Sequence, residues 1–477
     1  MDMYERGQLS IQVLVFSAVA LILIGAFSLW GASFLRLSVR DLNKAQAFAI
    51  AEAGIEYYRW HLAHNPTDFE DGTGNPGPYT HAYYDKDGQQ IGEFILDITA
   101  PPLGSPVVAI RSTGHVLSDS SIQKIIEIQL SISSLTKYAM VGNQYLNVTT
   151  GTTIYGLVHA NGGIRFDGKG YNIVTSAQTT YDDPDHSGGV EYGVHTHMPP
   201  VDPLPTSTLP LRSDVFVAGR QFPVPAIDFT KITSDLATIR SDAQSGGFYR
   251  ASSTSVGYHV VLKTNGTFDL YKITKMLKKP PGCNNSQQQD GWDTWSIDTE
   301  SLLGNYPYPA NKLIFLEDDT WVDGTIQDNR MTIAVGSFPQ NIATDKSIII
   351  NNDIFYTYHD GRDVLGLIAQ KDITFGMVSE DDLHIDAAMV AQLGRIGRYD
   401  YRPGTSQGNG CQPYHIRTLI TTYGMLATNQ NWLFNYSSYS GYQIKNLNYD
   451  PHLLFNPPPS FPLLGNQYGQ ISWKEVQ

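Results

Sequence analysis

The chain has 477 residues, of which 41% are hydrophobic and only 16% charged. That apolar share excludes a disordered chain, and at roughly 100–200 residues per domain the length suits about three domains. With Lys+Arg 32 against Asp+Glu 46 the formal net charge is −14. An acidic surface repels phosphate backbones, so no nucleic-acid partner is expected. Two cysteines, Cys283 and Cys411, exclude a cysteine-built zinc site and a disulfide scaffold. They leave open one long-range disulfide or two free thiols. The chain is rich in Gly, Ser, Thr, Asn and Tyr, which suits short strands and turns better than long surface helices.

From Gly7 to Leu35 no residue is charged. As a helix this run spans about 43 Å at about 1.5 Å per residue, more than the roughly 30 Å hydrocarbon core of a bilayer. It is too long for the apolar part of a signal peptide. Arg36, Arg40 and Lys44 follow the span, which taken alone favours an inward C-terminal side, whereas long domains translocate largely regardless of charge. Charge therefore leaves the orientation open. The Ala-rich segment that follows continues the helix to about His64, where Asn65-Pro66 ends it.

The Arg6-Gly7 pair ahead of this helix, with Ala51-Glu52-Ala53-Gly54-Ile55-Glu56 near its end, resembles the PilX-type minor pilins of type IV pilus systems. The resemblance implies a prepilin peptidase cut after Gly7, with Gln8 as the new first residue. Pilins generally carry a glutamate five residues after the cut; here that position is Gln12, so the carboxylate that pairs with a neighbouring subunit is absent. The resemblance also implies a single-pass membrane protein of the bacterial cell envelope with its C-terminal body outside the cytoplasm. Its partners would be membrane lipid and other pilin-like subunits.

Three strand-like segments come next: Gly92 to Thr99, Pro106 to Gly114 and Ile122 to Ile132, the last with Ile126, Ile128, Leu130 and Ile132 at period two. Their short connections suit antiparallel pairing. After residue 150 a loose repeat recurs, as Gly156-Leu-Val-His-Ala, Gly366-Leu-Ile-Ala, Ala388-Met-Val-Ala and Gly424-Met-Leu-Ala, each followed by a turn and another apolar residue. Such units stack, because none can bury its own apolar face. Between them, Phe229, Ile232, Leu236 and Ile239 sit at helical spacing. Asn265-Gly266 between two alternating runs marks a hairpin.

The expected fold class is α+β and predominantly β. It comprises a membrane-spanning pilin-like helix (1–64) and a small antiparallel sheet on that helix (65–135). An irregular right-handed parallel β-helix-like solenoid follows in two parts (136–200 and 311–477). An insertion with the helix and hairpin interrupts it (201–310). The proline-rich stretch from Asn456 reads as a cap on the second part. A sandwich with coincidental repeats is the rival architecture.

Chemistry-bearing residues gather in two places. Asp182, Asp183, Asp185, His186, Glu191, His195 and His197 form one cluster, and Asp185, His186, His195 and His197 are its candidate metal ligands. His195 and His197 would share one side of a strand and could meet one ion. A solvated loop is the plainer reading, and no resident metal or cofactor is expected. Glu380, Asp381, Asp382, His384 and Asp386 form an acidic run without an EF-hand pattern, read as a corner loop. The sequence has no esterase, zinc-protease, phosphate-loop or dinucleotide motif, so no catalysis is expected. The expected role is structural, adhesive or pilus-assembling, with surface carbohydrate as a further partner. A tethered polysaccharide-active β-helix enzyme and a self-assembling scaffold are the alternatives. Cys283 and Cys411 would join the insertion to a late repeat, and the loop around Cys283 is expected to be exposed.

Overall fold

The computed structural model describes residues 4–101, 105–404, 410–431 and 433–476, apart from the side chains of 4–8, 231–234 and 437. Of the expected processing pair, Gly7 and Gln8, only the backbone is thus described, and the side chain of Ile232 likewise lies outside the described residues. A long apolar helix comes first and the rest is predominantly β. The chain divides into two compact units: Met1–Ala100 with Val108–Ser131 and Gln467–Gln477, and Pro101–Val107 with Ile132–Asn466.

In the first unit, helix α1 (Tyr4–His64) runs without a break, as the absence of proline before Pro66 requires. Its most apolar stretch has a mean hydropathy of 2.5 and, among the described residues, is not buried. Beyond it the helix changes character. Asn43, Ala47, Ile50, Ala51, Gly54, Ile55, Tyr58 and Leu62 are all buried, at helical spacings of one, three and four. This stripe packs against Phe94, Leu96, Val108, Ile110, Ile126, Ile128 and Leu130. Each such fully buried side chain contributes about 1.5–3 kcal/mol. Small residues set the approach: a Cβ on Gly114 would collide with the Ala47 carbonyl oxygen and the Ala51 amide.

The sheet under the helix has five strands in the order Tyr79–Tyr84, Gln90–Thr99, Val107–Val116, Asp119–Ser134, Leu463–Val476. The first three pair antiparallel, with Phe94 opposite His81 and Gly114. The three strands expected from sequence are all present. The expected boundary at 311–477 shifts, because Leu463–Val476 lies in this first sheet. The signal was weak there: Gly465-Asn-Gln-Tyr-Gly-Gln has no clean apolar alternation, and the strand is mostly half-exposed.

In the second unit short strands stack in parallel. Leu367, Ile368 and Ala369 pair with Met389, Val390 and Ala391, so two copies of the sequence repeat lie side by side. Met389, Val390 and Ala391 pair in turn with Leu426, Ala427 and Thr428. These pair with Met140, Val141 and Gly142, and those last with Val158, His159 and Ala160. A second ladder aligns Ile348, Ile373 and Ile396. The inward side chains form one large core, which includes Met140, Val158, Ile333, Leu367, Met389 and Leu426.

Helix α2 (Phe229–Gly246) starts where expected, with Asp228 capping the Thr230 amide at 2.9 Å. Phe229, Leu236, Ile239 and Ala243 pack on Leu313 and Phe315. The hairpin forms from Gly257–Leu262 and Thr267–Met276. Its turn has Gly266 at φ +77° and Asn265 Oδ1 accepting from the Thr267 hydroxyl at 2.7 Å. The expected insertion is not a separate module, because Val260 of this hairpin pairs in parallel with Val322. Phe248 likewise pairs with Ile314. Those strands carry the same apolar pattern as their neighbours, so they extend the stack.

The proline-rich stretch lies along strand Arg330–Val335: the Pro459 carbonyl accepts from Thr332 Oγ1 at 2.5 Å, and Phe461 is buried. Cys283 and Cys411 are disulfide-bonded. Cys283 is 3% exposed, packed with Met377, Tyr399 and Tyr401, so the exposed loop expected around it is corrected at that residue. Its Pro/Gly/Asn composition favoured solvent, but the aromatic residues beside it supply a core.

Candidate functional site

Two features stand out from the scaffold: the bare apolar half of α1 and a buried cluster of histidines and carboxylates. On α1, Leu14 is 71% exposed, Phe16 74%, Leu21 70%, Ile22 70% and Leu29 73%. Soluble monomers rarely leave contiguous apolar patches beyond a few hundred Å². This surface surrounds the helix on every side, which is the pattern of a segment meant for lipid or for other helices.

The cluster is assembled by a short hairpin and a strand. Thr180–Asp182 pairs antiparallel with Val190–Tyr192, so that Tyr181 faces Glu191. The connecting loop carries Asp183, Asp185 and His186. Val194–His195 then joins a three-stranded parallel sheet, with His195 beside Arg165 and Val194 beside Ile164. His197 follows, and Asp167 holds its backbone amide at 2.7 Å.

Asp183, Glu191 and His195 are buried, His197 is half-buried and His186 is exposed. His195 Nε2 lies 3.6 Å from Asp183 Oδ2, and His197 Nε2 lies 3.5 Å from Glu191 Oε1. His186 Nδ1 is 3.0 Å from the same Glu191 oxygen. The His195 and His197 rings are 4.9 Å apart. Both ring nitrogens of His195, Nε2 of His197, Oδ2 of Asp183 and the Tyr181 hydroxyl are buried without a hydrogen-bond partner among the described residues. Burial pushes the His195 imidazole towards its neutral form against the pull of Glu191 and Asp183. A Tyr192 backbone group near the ring also favours the proton, though outside hydrogen-bonding geometry.

Of the four ligands expected from sequence, His186, His195 and His197 come together. Asp185 does not: its carboxylate turns outward and accepts from Asn147 Nδ2 at 2.8 Å. Asp183 and Glu191 are buried in its place, Glu191 from the hairpin strand opposite Tyr181 and Asp183 from the connecting loop. Arg165 and Asp167 were not singled out by sequence. Arg165 Nε binds Asp167 at 2.8 Å, and its other end lies 3.8 Å from Asp183.

The second acidic run is an exposed loop only at Glu380 and Asp381. It enters strand Asp382–Ala391, where Asp386 is fully buried. Asp386 accepts from His384 at 2.7 Å, from His359 at 3.0 Å and from the Tyr356 amide at 2.8 Å. His359, Asp386 and His384 also satisfy the spacing of a ligand set. Here, unlike in the first cluster, the close contacts are ordinary hydrogen bonds.

No protein-family model matches the chain, and no curated protein matches it. Among solved structures it is similar to the competence-associated pilin ComZ from Thermus thermophilus, at 14% identity and a TM-score of 0.30, with 91% of this chain and 98% of that one covered.

Proposed function

We propose that this chain is a membrane-anchored, pilin-related surface protein with a structural, adhesive or pilus-assembly role and no catalytic one. The observation that carries the reading is α1: one helix whose apolar half has no partner among the described residues and whose second half packs on an antiparallel sheet. Lipid or the helices of other pilin-like subunits would cover the apolar half. In the finer reading the chain belongs to the PilX-type branch, with Gln12 in place of the pairing glutamate and Gly7 as the processing site. The parallel-paired body is a β-helix-type solenoid that displays its loops away from the membrane. The Cys283–Cys411 disulfide supports an oxidising compartment for that body. Tyr155 and Tyr171, stacked 4.7 Å apart and 60% and 41% exposed, offer an aromatic face to surface carbohydrate.

Fractionation tests the reading. The full chain should stay with membranes after alkaline carbonate extraction, and a variant with Ile22→Lys and Leu23→Lys should be released. N-terminal sequencing should find Gln8 first. A full chain that is soluble without detergent overturns the anchor, and an uncut Gly7-Gln8 bond overturns the pilin processing.

A further inference from the structure

The hairpin cluster carries an assignment independent of the membrane anchor. Three carboxylates, Asp167, Asp183 and Glu191, are buried there, and the cation beside them is Arg165, which reaches Asp167 and Asp183. Buried charge without compensation is costly, as are buried polar atoms without partners. Yet His195 offers two bare nitrogens, His197 one and Asp183 a bare oxygen. These atoms converge: ligand atoms of Asp183, His195 and His197 lie within 4.8 Å of one another, and Glu191 shares His197 with them.

We propose that Asp183, His195 and His197 bind one divalent transition-metal ion of the zinc class, with Glu191 beside His197. Zinc–ligand distances of about 2.0–2.1 Å in a tetrahedron place neighbouring ligand atoms about 3.3 Å apart. The observed His195–Asp183 contact of 3.6 Å falls close to that edge and beyond a hydrogen bond. Mixed imidazole and carboxylate donors favour zinc-like ions over calcium or magnesium, which take oxygen alone. His186, 3.0 Å from Glu191, orients that carboxylate from outside. Held by three side chains from two elements, the ion would act as a staple between them, with its fourth position left to solvent. It ties the hairpin 180–192 to the parallel sheet that holds His195. The His359–Asp386–His384 group has the same residue types, but its hydrogen bonds are already made, and it serves as the internal control.

The test uses the full chain, purified in detergent without a histidine tag and stripped with EDTA. Zinc chloride is titrated against a chromophoric chelator, and cobalt chloride is followed by its visible absorption. The expected result is one ion per chain, a four-coordinate cobalt spectrum and a higher melting temperature with zinc. His195→Gln and His197→Gln should weaken zinc binding at least 100-fold, and His186→Gln about tenfold by loss of the outer contact. Asp185→Asn and His359→Gln should leave it unchanged. Because His195 is buried, circular dichroism of the metal-free variants must match the parent. If His195→Gln misfolds, the half-buried His197→Gln and the exposed His186→Gln decide the matter. The proposal is overturned if the parent binds no ion stoichiometrically, if His197→Gln binds as tightly as the parent, or if His359→Gln abolishes binding.

Discussion

Cys283 and Cys411 lie 128 residues apart in sequence and are covalently joined, with Cα atoms 4.5 Å apart in a pocket closed by Met377, Tyr399 and Tyr401. The bond ties the loop after the hairpin strand Thr267–Met276 to the loop ahead of strand Ile416–Thr428.

Removing this bond should cost the second unit much of its stability. The chain-entropy relation gives up to about 4–5 kcal/mol for a loop of this size. A protein with Cys283→Ser and Cys411→Ser should melt well below the parent and, having no cysteine, migrate alike on a gel with and without reductant. Unchanged melting would mean that the aromatic pocket alone holds the two loops.

Close packing of α1 on its sheet depends on Gly114, whose missing side chain admits the Ala47 and Ala51 backbone. Gly114→Val should destabilise the first unit by about 3 kcal/mol or more, because backbone atoms cannot give way as a flexible side chain can. Limited proteolysis should then cut near the Asn65-Pro66 break in the variant and spare the parent. Equal protease resistance would refute the tight contact.

His259 links stability to pH. Burial disfavours its charge, but hydrogen bonds to Asp323 at 3.0 Å and Glu300 at 2.8 Å outweigh that and raise its pKa to about 9. An unfolded imidazole titrates near about 6.5. The stabilisation is therefore complete below about pH 6.5 and is lost as pH rises through about 9, a total on the order of 3 kcal/mol. Melting temperatures of the parent should fall across this window, and those of His259→Gln should fall less. Parallel profiles for the two proteins would rule out this ring as the cause.

Asp386→Ala should destabilise the stack by about 2–4 kcal/mol, since it strands a buried Tyr356 amide and removes the shared acceptor of two histidines. Asp382→Ala, at the exposed start of the same strand, should cost under about 0.5 kcal/mol. Denaturant titrations of the two variants compare them directly, and equal losses would contradict the central position of Asp386.

Much of the local structure was legible in the residues. The uncharged run from Gly7 to Leu35 required a long apolar helix. Asn265-Gly266 placed the hairpin turn, and Phe229, Leu236 and Ile239 marked the inner face of α2. The repeated Gly-Leu-Ile-Ala words marked strands that lie side by side, because small and apolar residues at fixed offsets are local signals. Partner choice was not legible. The strand at Met140 pairs with Leu426 from nearly the far end of the chain, and Leu463–Val476 returns to the first sheet. All the stacked strands share nearly the same apolar pattern, so any of them could pair with any other. Only simultaneous burial of every inward face selects one order. The histidine cluster divides the same way. Composition brought Asp183 to His197 to notice. The register sets Tyr181 opposite Glu191, and the loop that joins the two strands turns Asp183 inward and leaves Asp185 exposed, a path that depends on tertiary packing and not on any local pattern.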